Sequence, residues 1–214
     1  MTKKEPANVA ASVMNRLLNQ SKRTGDDYQT MLIAYVCERF LFRLGSSAAR
    51  ERFVLKGAML LRVWSEQPYR STRDLDLLRR GDGTAEAIRR DFEMICTTPV
   101  EADGLVFDVT SIRLEPIRAE EEYVGTRVRM FVLCDRARIR LQVDIGVGDI
   151  VFPLPQVRRY ATLLGSVEPQ ILAYAPETVI AEKLEATLVL GERNSRIKDF
   201  FRSSLVRGEL RVRP

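Results

Sequence analysis

Residues 53–78 read FVLKGAMLLRVWSEQPYRSTRDLDLL, and the two ends of this stretch organise the rest of the chain. At its start, Phe53 to Lys56 is a short strand candidate, Gly57 permits a tight turn, and Ala58 to Trp64 reads as a helix. Backbone N–H groups at a helix start, with no side chain at the glycine, are a place where phosphate can sit. At its end, Arg73 to Leu78 reads as a strand. Side chains alternate along a strand, so Asp74 and Asp76 share one face while Leu75 and Leu77 point into the core. Neighbouring carboxylates on one face repel unless a cation lies between them. The pair, behind a glycine and among Lys56, Arg70 and Arg73, therefore points to a divalent metal held for phosphate chemistry. The competing reading is a solvated edge strand with two incidental acids.

Downstream, from Gly104 to Asp149, the apolar period becomes two. Leu105–Phe107, Val109–Leu114 and Val124–Leu133 read as strands, and Cys134-Asp135-Arg136 suits a tight connection. Arg138 to Ile145 alternates cleanly: Ile139, Leu141, Val143 and Ile145 on one face, Arg138, Arg140, Gln142 and Asp144 on the other. These strands must share a sheet with Arg73–Leu78. Asp144, on the polar face just before Gly146, is where a third metal-binding or base carboxylate would stand. The alternative for it is an exposed strand acid.

Upstream, residues 7–24 and 27–44 read as helices separated by Gly25, with Asp26 as the cap of the second and Gly45-Ser46-Ser47 as its end. Thr84 caps a helix to Cys96 that buries Ile88, Phe92 and Ile95. Its acids, Glu86, Asp91 and Glu93, read with Asp82 as a solvated face. Val151 to Pro176 reads as a proline-bearing loop and a soft domain boundary, giving residues 1–150 as the core and 151–214 as a helical C-terminal part. Glu177 to Leu190 follows as a helix behind Pro176, expected to bury Val179, Ile180, Ala181, Leu184 and Leu188.

Composition removes whole classes of chemistry. The 214-residue chain has no histidine, which excludes histidine triads, histidine bases and histidine-rich zinc sites. Its three cysteines are far apart and form no paired motif. Catalysis must come from carboxylates, lysines, hydroxyls and a hard metal. A net charge of +5 favours a polyanionic partner. No apolar run approaches the roughly 20 residues of a membrane helix, and the N-terminus has no signal-like apolar core, so a cytoplasmic protein is expected.

The pieces VLKGAMLLRVW, PYRSTRDLDLL, LQVDIGVGD, PETVIAEKLEA and NSRIKDFF, in this order, resemble the AbiEii/AbiGii-type nucleotidyltransferase toxins, which include the MenT-like toxins. The resemblance runs from about Asn8 to Phe201. It implies an α+β fold with a polymerase-β-like nucleotidyltransferase core, a small mixed sheet with flanking helices, followed by a helical C-terminal part. It implies an NTP substrate, Mg²⁺, a toxin–antitoxin or abortive-infection role, a cognate antitoxin, and an RNA acceptor, the 3′ end of tRNA in some members. Carried over by motif, Asp74, Asp76 and Asp144 would bind the metal. Lys183 and Asp199 would join them in catalysis. Lys56, Gly57, Arg73, Lys183 and Lys198 would hold the nucleotide. Ser71 and Thr72 lie where some relatives are controlled by phosphorylation. The chain departs from the family after Phe201, where Arg202-Ser203-Ser204 and an arginine-rich end replace an expected helix, so the C-terminal part is expected to be shortened. That departure supports an alternative: a degenerate, non-catalytic member that binds antitoxin or nucleotide only. A third reading transfers the nucleotide to protein hydroxyls.

Overall fold

The computed structural model describes residues 8–64, 73–117, 125–148 and 151–190. The chain divides into two compact units, Met1–Ala175 and Pro176–Pro214. In the first, seven strands form one mixed sheet: β1 (Phe53–Lys56), β2 (Leu75–Arg79), β3 (Val106–Ile117), β4 (Gly125–Cys134), β5 (Ala137–Val147), β6 (Gln156–Arg159) and β7 (Gln170–Ala173). Their order is β3-β4-β5-β2-β1-β7-β6. The β2–β5 and β1–β7 pairs are parallel and the others antiparallel. Helices α1 (Val9–Thr24), α2 (Tyr28–Ser46), α3 (Leu61–Trp64) and α4 (Ala85–Thr97) accompany it. This is the expected mixed sheet with flanking helices.

The core lies between one face of the sheet and α2 and α4. Leu75 and Leu77 of β2 and Leu141, Val143 and Ile145 of β5 are fully buried. Phe40 of α2 stacks at 5.2 Å on Phe92 of α4 and at 6.2 Å on Phe107 of β3, tying the three elements together. Such aromatic pairs add to the burial of their area. Helix α2 is buried along most of its length, polar residues included. Its cap is Asp27, not Asp26: the Asp27 carboxylate accepts from both the backbone N–H and the hydroxyl of Thr30. The helix also continues through Gly45, where a Cβ would collide with the carbonyl of Gln170 at the start of β7. That glycine marks close approach of helix and strand rather than a helix end.

Other expectations are corrected. Val151–Pro176 is not a loop: it supplies β6 and β7, and the compact unit runs through Ala175, beyond the expected boundary at 150. The β7 strand forms because β1 offers it a parallel partner, with Leu55 facing Ala173, a long-range pairing that local pattern cannot show. The strands expected at 105–107 and 109–114 are one strand, β3, with an irregularity between Asp108 and Arg113. Ala58–Trp64 is a 3-10 turn, Ala58–Leu60, continued by α3. Asp91 does not belong to a solvated face. It is 2% exposed and paired with Arg79 and Arg52.

The second unit contains α5 (Pro176–Leu190). Ile180 and Leu184 are 36% and 49% exposed, and Ala181 is exposed, so the expected buried face does not form at those positions.

Candidate functional site

The site is built by strand register. Asp76 of β2 faces Asp144 of β5 as parallel partners, and on its other side faces Lys56 of β1. Because Leu75, Leu77, Val143 and Ile145 are buried under the helices, Asp76 and Asp144 lie on the opposite face, neighbours across the strands. Neighbouring strands lie about 4.8 Å apart. Directly after β1, Gly57 takes φ 71°. A Cβ there would overlap the Asp76 carboxylate, lying 2.7 Å from its Cγ. The glycine is therefore required twice, by its positive φ and by the acid packed against it. The turn and the carboxylate form one unit.

Asp74 is exposed just ahead of β2. The side-chain amide of Gln142 donates to it at 3.2 Å. Gln142 accepts in turn from Nε of Arg129 at 3.2 Å, and Arg129 donates to Glu115 at 2.6 Å. A chain of polar contacts thus crosses β3, β4 and β5 and ends on Asp74. Asp144 is gripped by both arms of Arg127, at 2.8 and 2.7 Å. The hydrogen bond to Asp144 is the main cause holding the Arg127 guanidinium above its ordinary pKa, and Asp74 and Glu115 add to it. The polar face around Asp74, Asp144 and Glu115 is knitted together by arginine and amide groups.

Among the described residues, no group of three Asp, Glu, Cys or His could hold a metal ion. The donor chemistry of Asp74 and Asp76 nevertheless suits a hard divalent cation, being oxygen only. Asp144 could join them by releasing one of its two arginine contacts.

Residues 39–201 match the family described as nucleotidyl transferase AbiEii toxin of a type IV toxin–antitoxin system. The chain belongs to the AbiEii family. It is thereby a member of a nucleotidyltransferase enzyme family whose counterpart is an antitoxin. No curated protein matches the chain. Two solved structures are similar: JHP933 from Helicobacter pylori, at 14% identity and TM-score 0.48, covering 74% of this chain and 57% of its own, and a "putative nucleotidyltransferase" from H. pylori, at 14% identity and TM-score 0.45, covering 74% and 59%. The chain thus spans less than two thirds of the length of either. No helix among the described residues is long and apolar enough to cross a membrane.

Of the residues the AbiEii resemblance singles out, the fold brings Lys56, Gly57, Asp74, Asp76 and Asp144 to one place. The ammonium of Lys56 also lies 5.4 Å from the Tyr174 ring centroid. Arg73 goes elsewhere: its exposed guanidinium meets Thr30 at 3.1 Å and Asp27 at 3.6 Å, at the start of α2. Lys183 falls within α5, but its side chain, like Lys198, Asp199, Ser71 and Thr72, lies outside the described residues. Sequence reasoning assigned no role to Gln142, Arg127 or Arg129. Gln142 shares the strand parity of Asp144, which was the available signal.

Proposed function

We propose that this AbiEii chain is a Mg²⁺-dependent nucleotidyltransferase that moves a nucleotide from an NTP to an RNA acceptor, the 3′ end of tRNA, in the cytoplasm. The observation that carries the reading is the Asp76–Asp144 rung, with Gly57 closed against Asp76 and Asp74 beside it. Asp74, Asp76 and Asp144 would hold the cation, which supplies charge neutralisation at the phosphates and lowers the pKa of the attacking hydroxyl. The backbone turn at Gly57 and the ammonium of Lys56 receive the triphosphate beside the carboxylates. Phosphoryl-type transfer needs alignment and electrostatic stabilisation more than a reactive side chain, so a histidine-free chain suffices. Lys183, Lys198 and Asp199 are proposed to complete the nucleotide grip and the catalytic set, and Arg73 to bind nucleotide by exchanging its Asp27 partner for phosphate.

The test is incubation of the protein and Mg²⁺ with each labelled NTP, total tRNA and protein extract. Label in tRNA, lost with Asp76→Ala, is expected. No label in any RNA with all four NTPs would sink the proposal. The two-armed Arg127–Asp144 pair favours a second reading, a non-catalytic member that binds antitoxin or nucleotide only. Normal growth and unaltered tRNA on expression without antitoxin would support that one.

A further inference from the structure

On the face of β3, β4 and β5 turned away from α2, side chains stand in rungs set by strand register. The rung nearest the site pairs Asp144 with Arg127, and the next pairs Gln142 with Arg129. Further out, Arg140 faces Phe131, and beyond them Arg138 faces Leu133. The arginines change character along this path. Arg127 and Arg129 are neutralised by Asp144 and Glu115. Arg138 and Arg140 are exposed, and neither has a carboxylate at ion-pair distance among the described residues. Asp108, the acid beside Phe131 on β3, accepts from the hydroxyl and N–H of Thr110, and the charge of Arg138 adds a smaller attraction without a direct ion pair. Both outer guanidinium groups are set instead against the Phe131 ring, Arg138 at 3.6 Å and Arg140 at 6.0 Å from its centroid.

Exposed arginines outside direct ion pairs, flanking an aromatic ring, are the components of single-stranded nucleic-acid binding: charge for the phosphates and a flat surface for a base. Position supports the same partner. At about 3.3 Å per strand residue, Arg140 lies roughly 13 Å and Arg138 roughly 20 Å from Asp144 along β5. A chain entering the site by its end would run over this face. We propose that Arg138, Arg140 and Phe131 form a track for the single-stranded 3′ segment of the RNA acceptor, with phosphates drawing the two arginines and a base taking the place of the Arg138 guanidinium over Phe131. The proposal rests on the RNA-acceptor reading above.

The test uses the full chain and a labelled single-stranded RNA of about a dozen nucleotides, within the span such surfaces cover, followed by fluorescence anisotropy over a range of salt. The paired change Arg138→Ala with Arg140→Ala is expected to weaken binding by about tenfold or more. It should also flatten the salt slope by about 1.4, since each phosphate contact contributes about 0.7. Phe131→Ala should weaken binding by about tenfold with the slope unchanged, and Phe131→Tyr should restore it. NTP binding should be kept by all variants, which shows that they fold. Wild-type RNA affinity and KM in these variants, with RNA still labelled by the unaltered protein, would overturn the track and leave the proposed function standing. An unaltered protein that neither binds nor labels RNA, but labels protein, would overturn both. Variants that keep RNA binding and lose antitoxin binding would make this face a protein-docking surface and likewise overturn the track.

Discussion

The two faces of the sheet carry the same kind of group, an arginine paired with a carboxylate, in opposite surroundings. On the helix-covered side, Asp91 of α4 meets Arg79 of β2 with both side chains 4% exposed. Nearby, Asp103 lies between Arg39 at 3.0 Å and Arg43 at 2.5 Å, where it also accepts from the Leu105 N–H. Burial works against the Asp103 charge, yet the Arg43 and Arg39 contacts together hold its pKa below the ordinary value. On the open side, the Arg127–Asp144 side chains are 32% and 21% exposed and those of Arg129–Glu115 are 34% and 49%. Removing one partner of a buried pair strands a charge and costs about 3–5 kcal/mol. Exposed pairs contribute about 0–1 kcal/mol. The covered pairs are therefore committed to the fold, whereas the open ones can exchange partners at little cost to it. Only the second kind is available for chemistry.

The sharpest test sets Asp76→Ala against Asp91→Ala. Asp76→Ala should lower nucleotide transfer roughly a thousandfold, the several kcal/mol of charge stabilisation a held metal supplies, while leaving the unfolding midpoint near that of the parent. Asp91→Ala should do the reverse at the level of the fold, losing about 3–5 kcal/mol in urea unfolding. A loss below about 1 kcal/mol there would erase the distinction between the faces.

Glu38 extends the buried side. It is fully buried on α2, and one carboxylate oxygen accepts from the Leu163 N–H at 2.7 Å. Burial pushes its pKa up from 4.5 to about 7, against the lowering effects of the Leu163 bond and of Arg39 and Arg62. With the folded value above the unfolded one, the folded state holds the extra proton between those two pH values. Stability attributable to Glu38 is present in full below pH 4.5 and lost as pH rises through about 7. The fall is roughly 3 kcal/mol at about 1.36 per pH unit. Unfolding measured across this range should show the decline, and Glu38→Gln should flatten it. An unchanged profile in that variant would remove Glu38 as the cause.

Gly57→Ala should cost about 1–3 kcal/mol in strain and lower transfer as well, because the new methyl displaces the Asp76 carboxylate. A variant of parental stability and activity would show that the turn and the acid are not coupled. Gln142→Ala is the mildest change, with transfer expected to fall by a factor of about 5, one hydrogen bond's share, in kcat rather than in KM for NTP. A change confined to KM would mean that Gln142 touches nucleotide instead of positioning Asp74.

The strand alternation in 138–145 made the open face legible, and with it Asp144 and its kinship to Asp76. The Gly57 turn was legible because a glycine before an apolar run has few other uses. Asp91 was misread as solvated although Ala87, Asp91 and Ile95 step by four along α4, on the side that is buried. At this position the helical period outweighs the charge as a guide to burial. Arg39 and Arg43 found their partner in Asp103, far along the chain, and no local pattern announces such a pairing. The same holds for β6 and β7, whose proline-flanked segments become strands only when β1 is there to receive β7. The exchangeable partners of the site, Arg127 and Gln142, were visible as polar strand positions, but their targets depend on cross-strand register.

The sheet order has one more consequence, in time rather than in space. Strand β2 carries Asp76 in the middle of the sheet, yet its parallel neighbour β5 and the strand that closes on β1 come much later in the chain. Such non-local pairings form slowly. A ribosome that has not yet translated Asp144 carries a nascent chain with two of the three carboxylates and no rung between them. The Asp76–Asp144 rung cannot form while β5 is still unmade, so the geometry on which the proposed transfer depends is completed only when the sheet is nearly whole.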